Sequence, residues 1–488
     1  MCLSTIFLVF QIFFNCGVYA NAAKTETPKI TVIGAGLAGL TTAYRLQTMG
    51  YSVELYEARD RAGGRICTAY FGDSYEELGG KNIDDASNPK DMLDLICEFG
   101  LHVSSSGTSD PRKRMNLLNG EVSPFLMAFR EGPEPSESNY AKLKEKMNDF
   151  KSLADLMDFF FGKSHLSHQC MEWIMSGYEG TDPNALTPHY LDIYFWKFYK
   201  RYYEISHDLE RKDQIHVLRS VKGGNSLLIK ALTGRLDGHI HYNMPLRRIV
   251  RCKSNKRIIL DFGTKNPVET DYLVLALPCS TLRDVKIEPS LIPNDQMLAI
   301  QSLQYGTNAK ILLPIKGIDE LTARSLITKN MSTWMNEDFS IMTFYYSDQK
   351  GIFDCQSSEV LQNMLSTEIS TVCLLHPEIE FPLGLNPCSR KEVLDTVYDQ
   401  PVGISWMNEE FSKGSYSNCG IDNFIAFHDN CEEYQEKVLS VFRSIDGSIF
   451  FAGEHTDIDD FATMGGAVRS GEKAARMVDR ELENRSFK

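Results

Sequence analysis

The chain has 488 residues, 43% hydrophobic and 24% charged, ordinary proportions for a globular protein with enough length for roughly two to four domains. Its formal net charge of −14 argues against a non-specific nucleic-acid binder, because a polyanion would be repelled. Of its 12 cysteines, Cys2 and Cys16 fall near the start and the rest are scattered, with no Cys-x-x-Cys pair and no cysteine–histidine cluster, so no metal site is expected.

Residues 1–22 read as a signal peptide. Ile6 to Phe14 is apolar apart from Gln11, and small residues follow at Val18-Tyr19-Ala20 and Ala20-Asn21-Ala22. The expected location is therefore exported, periplasmic or secreted. An uncleaved N-terminal anchor is the alternative, although Gln11 and Asn15 leave a short apolar stretch for a span. No integral membrane segment is expected after it is removed. In an exported chain some cysteines could oxidise, Cys419 with Cys431 for example.

A strand, a helix and a second strand are expected next. Ile30 to Ile33 is a β-branched, apolar run suited to a buried parallel strand. Gly34, Gly36 and Gly39 follow, the spacing predicts a helix over Leu37 to Met49, and Ser52 to Tyr56 reads as a strand ending at Glu57. In such a unit Gly34 makes the tight turn, Gly36 lets backbone N–H groups approach a pyrophosphate, and Gly39 lets the helix sit close to the sheet. The positive end of the helix dipole faces the phosphates. Glu57, 23 residues after Gly34, can accept from both ribose hydroxyls, whereas a 2′-phosphate there would meet like charge. These residues point to a dinucleotide.

Arg61-Ala-Gly-Gly-Arg65 extends the pattern, letting a guanidinium reach the same pyrophosphate between two glycines. With this run the chain resembles the flavin-containing amine oxidase family, which includes monoamine, polyamine and L-amino acid oxidases. The resemblance makes the dinucleotide FAD. It places Gly34, Gly36, Leu37, Ala38, Gly39, Glu57, Ala58, Arg59, Gly64 and Arg65 against it. Glu77-Leu-Gly79-Gly80-Lys81 resembles the family's stretch beside the flavin ring, so Gly79, Gly80 and Lys81 join the set.

Asn88 to Phe99 reads as a helix with its apolar stripe at Met92, Leu95, Ile96 and Phe99. From about 110 to 220 helical stripes rich in aromatics dominate, among them Tyr190, Tyr194 and Phe198, which are read as core. Near Val221 the chain returns to the first domain. Ile240 to Leu246, Arg257 to Phe262 and Thr270 to Leu277 read as strands, and the resemblance puts the backbone at Leu246 on FAD.

In Gly306-Thr-Asn-Ala-Lys310 a lysine opens an apolar strand, where an inward-facing ammonium is costly unless solvated or paired. The family has a lysine here, linked through water to flavin N5. Trp406 and Tyr416 match its tryptophan beside the flavin and the aromatic wall of its amine site. Ser415 stands where monoamine oxidases carry the cysteine that joins FAD covalently, so the FAD is expected to be non-covalent. At the C-terminal end Gly453, Glu454, Thr463, Met464 and Ala467 resemble further FAD contacts. The helix starting at Met464 offers its N–H groups to flavin N1.

The implied fold class is α/β: a doubly wound, Rossmann-like FAD-binding domain (28–110, 221–285 and 425–488) with a discontinuous α+β substrate-binding domain (111–220 and 286–424) inserted twice. The implied reaction removes a hydride from the carbon beside an amine nitrogen to flavin N5. It yields imine or aldehyde, ammonia or amine, and hydrogen peroxide from O2, with Lys310, Trp406 and Tyr416 as catalytic residues. Asp84, Tyr416 and Thr463 are the substrate candidates, although Thr463 replaces the second cage tyrosine of monoamine oxidases. Asp84, with Asp457, Asp459 and Asp460 in the loop before the last helix, favours an amine or polyamine. An L-amino acid oxidase is the alternative. It needs an arginine for the carboxylate, and Lys81-Asn82 stands where that family tends to place it, leaving Arg112, Arg114 or Arg201. A catalytically silent flavin-binding protein is the second alternative. Expected partners are the small-molecule amine and O2, no nucleic acid, and a homodimer as an open assignment.

Overall fold

The computed structural model describes residues 27–83, 89–118, 120–210, 216–329, 331–376, 401–420, 441–457 and 459–486. The expected signal peptide, Asp84 and Cys431 lie outside them.

Five short strands form a parallel sheet in the order Ile449–Phe451, Tyr272–Leu275, Ile30–Ile33, Val53–Tyr56, Ile240–His241. Both faces are covered, so its central strands are apolar throughout rather than alternating. Val32, Leu55, Val274 and Phe450 pack on one face against Leu37–Thr48 and Met464–Ser486. Ile33, Leu275 and Phe451 point the other way, onto Ile249, Ile258 and Leu260 of a four-stranded sheet. The result is a helix–sheet–sheet stack in three layers.

That second sheet was only partly legible. Ile258–Asp261 falls inside the expected strand over Arg257 to Phe262, but its neighbours Arg248–Arg251 and Val268–Thr270 were not read. In the first, arginines at both ends flank a buried Ile249, and four residues are too few to display an alternation. The helix expected from Asn88 begins at Lys90, with Pro89 at its N-cap.

The second large sheet draws strands from three separated stretches, in the order Val402–Ser405, Ala309–Pro314, Ile341–Tyr346, Met331–Met335, Ser325–Ile327, Arg114–Leu118, Glu121–Pro124. Alternation sorts its faces. Ile311, Leu313, Phe344 and Tyr346 pack on Ser358–Leu375, while Lys310, Tyr345, Ser332 and Trp334 face the other side. The aromatic-rich helices Leu153–Phe161, Leu166–Glu179 and Trp196–His207 pack around Phe125, Phe129 and Tyr199. Val103–Ser109 and His216–Val221 pair antiparallel where the chain leaves for these helices and where it returns. Among the described residues, no helix is long and apolar enough to cross a membrane.

Candidate active site

A cavity of about 870 Å³ runs between the parallel sheet and the polar face of the seven-stranded sheet. The glycine-rich turn opens one end of it. Gly34 sits at φ +100°, a left-handed conformation that side chains resist, and a Cβ there would lie 2.7 Å from the Ala276 carbonyl. A Cβ on Gly36 would meet nothing within 4 Å, so this backbone is open to whatever occupies the cavity. Gly39 is different. It is not on the wall, and its Cβ would lie 1.9 Å from the Gly34 carbonyl oxygen, so it serves helix packing rather than ligand contact.

Glu57, 3% exposed, closes this end. Its Oε2 accepts from the Ala35 N–H at 2.7 Å and its Oε1 from the Arg59 N–H at 3.0 Å. Two backbone donors thus fix the carboxylate, leaving lone pairs for diol hydroxyls. Arg59 pairs with Glu409 and donates to Ser412. Arg65 donates to Glu454 at 2.8 Å and to the Ser415 carbonyl at 2.5 Å. Arg61, by contrast, caps local carbonyls such as that of Gly64 at 3.1 Å. Burial opposes ionisation of Glu454, but Arg65 and the Ser417 hydroxyl overcome it and hold the carboxyl below its usual range. Burial pulls His455 down to about 4, so its ring is neutral at ordinary pH.

Lys310 is the costliest group on the wall. It is 6% exposed, and its Nζ donates to the Glu77 carbonyl at 2.8 Å and the Gly79 carbonyl at 2.7 Å. It is therefore paired rather than snorkelling, and it ties the strand Ala309–Pro314 to the Gly79-Gly80 turn. Burial depresses its pKa; nearby Glu76 opposes and Lys81 reinforces that shift. Lys81 itself donates to buried Glu76 at 2.6 Å. Trp334 has the Lys310 and Lys81 ammoniums 5.8 and 6.0 Å from its ring centroid. Trp406 is buried, with its indole N–H 3.4 Å from the Leu78 carbonyl. The Tyr416 hydroxyl donates to the Tyr178 carbonyl and lies 3.3 Å from that of Tyr345.

The cavity brings together the expected residues Gly34, Gly36, Leu37, Ala38, Glu57, Ala58, Arg59, Gly64, Arg65, Gly79, Gly80, Lys81, Leu246, Lys310, Trp406, Tyr416, Gly453, Glu454, Thr463, Met464 and Ala467. Two further readings need correction. Thr463 reaches the wall, but its hydroxyl accepts from the Gly466 N–H at 3.0 Å and donates to the Asp460 carbonyl at 2.8 Å, so it caps the last helix. Asp457, Asp459 and Asp460 face Arg469 at 3.3, 3.4 and 3.9 Å and do not line the cavity. Tyr194 and Phe198, read as core, do pack in it, and they also line the cavity together with Trp173 and Tyr178. Trp334 and Tyr345 were not singled out at all. Their alternation with Met331, Thr333, Phe344 and Tyr346 was the available signal, but alternation cannot say whether a face meets a helix or a void. Of the three arginines, Arg112 is held by Asp110 at 2.8 Å away from the cavity, while Arg114 and Arg201 are on its wall. Tyr190 remains core, donating at 2.7 Å to Glu179, whose carboxyl burial pushes up to about 7.

The sequence profile of flavin containing amine oxidoreductases matches residues 37–351 and 396–479. The chain is 26% identical over 505 residues to lysine-specific histone demethylase 1 homolog 2 of Arabidopsis thaliana, covering 97% of this chain and 62% of that protein, so it spans less than two thirds of that relative. It is 23% identical over 497 residues to the L-amino-acid oxidase of Gloydius halys, covering 94% and 90%. Among solved structures, cyclohexylamine oxidase from Brevibacterium oxydans superposes with a TM-score of 0.68 at 17% identity, covering 94% of this chain and all of the other. Putrescine oxidase bound to putrescine gives 0.66 at 17%, covering 93% and 99%. At such identities these two likenesses carry the fold alone.

Proposed function

Because this chain belongs to the flavin containing amine oxidoreductases, we propose that it is an FAD-dependent oxidase acting on the carbon beside an amine nitrogen. The observation that carries this reading is the single cavity whose wall holds both the Gly34–Gly36 turn with Glu57 and, further along, Lys310, Trp406 and Tyr416. Bound FAD supplies the two-electron acceptor, with dioxygen as terminal oxidant and hydrogen peroxide as product.

The chain's own residues bind, orient and handle protons. Glu57 is fixed for a ribose diol, the open backbone at Gly36 suits a pyrophosphate, and the N-terminal N–H groups of Met464–Ser486 favour negative charge. Trp334, Tyr345 and Tyr416 offer aromatic surface to an uncharged amine and exclude water. Lys310, depressed by burial, takes and returns a proton more readily than a solvated lysine. Ser415 has no thiol for a thioether, and no cysteine lines the cavity among the described residues, which supports a dissociable FAD. The leader-like stretch at 1–22 supports export, and the division into a cofactor-binding and a twice-inserted substrate-binding domain follows the same reading. A second reading, oxidation of a substrate that carries a carboxylate, is favoured by Arg114 and Arg201 on the wall.

The test is a peroxide-release screen on the yellow holoprotein across polyamines, aromatic monoamines and L-amino acids, with Lys310→Met as control. Turnover by the parent that falls about a hundredfold or more in the variant is expected. Anaerobic mixing that leaves the flavin band unbleached by every amine and amino acid would point instead to a silent flavin-binding protein.

A further inference from the structure

We propose that the end of the chamber remote from Lys310 is an anion subsite built by Arg114 and Arg201. Its substrate is then an elongated amine bearing a carboxylate at the end opposite the reacting nitrogen. This rests on the amine-oxidase reading and names the substrate class for it.

Sheet register supplies the ruler. Lys310 is opposite Tyr345, Tyr345 opposite Ser332, Ser332 opposite Ile327, and Ile327 opposite Asn116. Four strand spacings of about 4.8 Å therefore separate Lys310 from the strand Arg114–Leu118, roughly 19 Å at the backbone. Arg114 is two residues from Asn116 and opposite Ser325, hence on the same face as Lys310. Both residues line the one cavity.

Arg201 reaches that same end from another element, the helix Trp196–His207. The Arg114 guanidinium lies 5.3 Å from the Phe125 ring centroid and the Arg201 guanidinium 5.9 Å from that of Tyr202. These rings meet edge to face at 5.2 Å. The two cations thus flank one aromatic pair. Arg201 is 8% exposed, and Arg114 forms no ion pair among the described residues.

Charge selects the ligand. Beyond the Gly79-Gly80 turn the described wall carries Lys310, Arg114 and Arg201, together with Lys81, which is paired with Glu76, and the acid Glu179, whose carboxyl burial pushes up to about 7. A diamine or polyamine would bring its second ammonium against guanidiniums, whereas a carboxylate there gains charge-assisted, fork-shaped bonds. Distance excludes an α-carboxylate as the partner of Arg114. That group is within about 3 Å of the reacting carbon, whereas an arginine reaching back about 7 Å from a strand some 19 Å away leaves on the order of 10 Å to bridge.

The experiment compares anaerobic flavin bleaching of the holoprotein by a homologous series of ω-amino acids with that by alkylamines and α,ω-diamines of matched length. Long ω-amino acids are expected to bleach with second-order rate constants at least about tenfold above matched diamines, and short ones are expected to have no such advantage. Arg114→Ala should erase the preference and Arg114→Glu should invert it toward diamines, an inversion that a misfolded variant cannot produce. Diamines that match or exceed the ω-amino acids, a preference independent of length, or one that survives both substitutions would overturn the proposal. Bleaching by short amines alone would leave the oxidase reading standing and reject the subsite. Should no amine bleach the flavin, the oxidase reading falls, and calorimetric titration of the holoprotein with a long-chain dicarboxylate reads the subsite directly. Saturable binding lost in Arg114→Glu supports it, and no binding rejects it.

Discussion

Replacing Glu179 by Gln should stabilise the protein at alkaline pH and leave it unchanged in acid. The carboxyl is buried, accepts from the Tyr190 hydroxyl at 2.7 Å, and is raised from 4.5 to about 7 by burial. In the unfolded chain it ionises at its ordinary value. Below about pH 4.5 both states hold the proton and the group costs nothing. Between about pH 4.5 and 7 only the unfolded state releases it, so stability falls as pH rises, and the loss is complete above about 7. At 1.36 kcal/mol per pH unit this interval is worth about 3 kcal/mol. Glutamine keeps an acceptor for Tyr190 and has no proton to lose. With 488 residues the unfolding entropy is roughly 1 kcal/mol/K, so the variant's Tm should exceed the parent's by about 3 °C at about pH 8, the difference shrinking toward zero near pH 4.5. Differential scanning fluorimetry of both proteins across that range measures it. A Tm difference that does not change with pH refutes the burial argument.

Gly36→Ala and Gly39→Ala should part company. The first adds a methyl into open cavity space and should fold with an unchanged apoprotein Tm while losing FAD affinity. The second drives a methyl to 1.9 Å from the Gly34 carbonyl oxygen and should lower soluble yield and Tm by several degrees. Arg65→Met leaves the buried Glu454 carboxylate without its 2.8 Å partner, and a loss of about 3 kcal/mol of stability, read by denaturant titration, is expected together with weaker flavin retention. Acid precipitation of the holoprotein should leave the yellow colour in the supernatant, since Ser415 cannot form a thioether; colour in the pellet refutes this.

Local chemistry was readable wherever one short stretch carries it. The Ile30–Ile33 strand, the turn at Gly34, the helix behind it and Glu57 form a contiguous unit whose backbone demands are met by neighbours in sequence. Lys310 was legible for the opposite reason: an ammonium in an apolar strand is expensive enough to require an explanation, and the carbonyls of Glu77 and Gly79 provide it. The acids of the 457–460 loop misled because a carboxylate's partner is not written beside it. Only folding brings Arg469 between them and turns them from the cavity. Tyr194 and Phe198 were legible as core, but not as cavity wall, since an amphipathic stripe reports that a face is covered without saying by what.

Sequence alone therefore determined the dinucleotide-type unit, the family likeness and the inward lysine, because each depends on residues within a few positions of one another or on a single costly group. Tertiary structure alone decided which arginines share a chamber with Lys310 and how far away they are. That spacing is set by the register of five strands drawn from residues 114 to 346, and register is a property of paired chains that neither strand carries by itself.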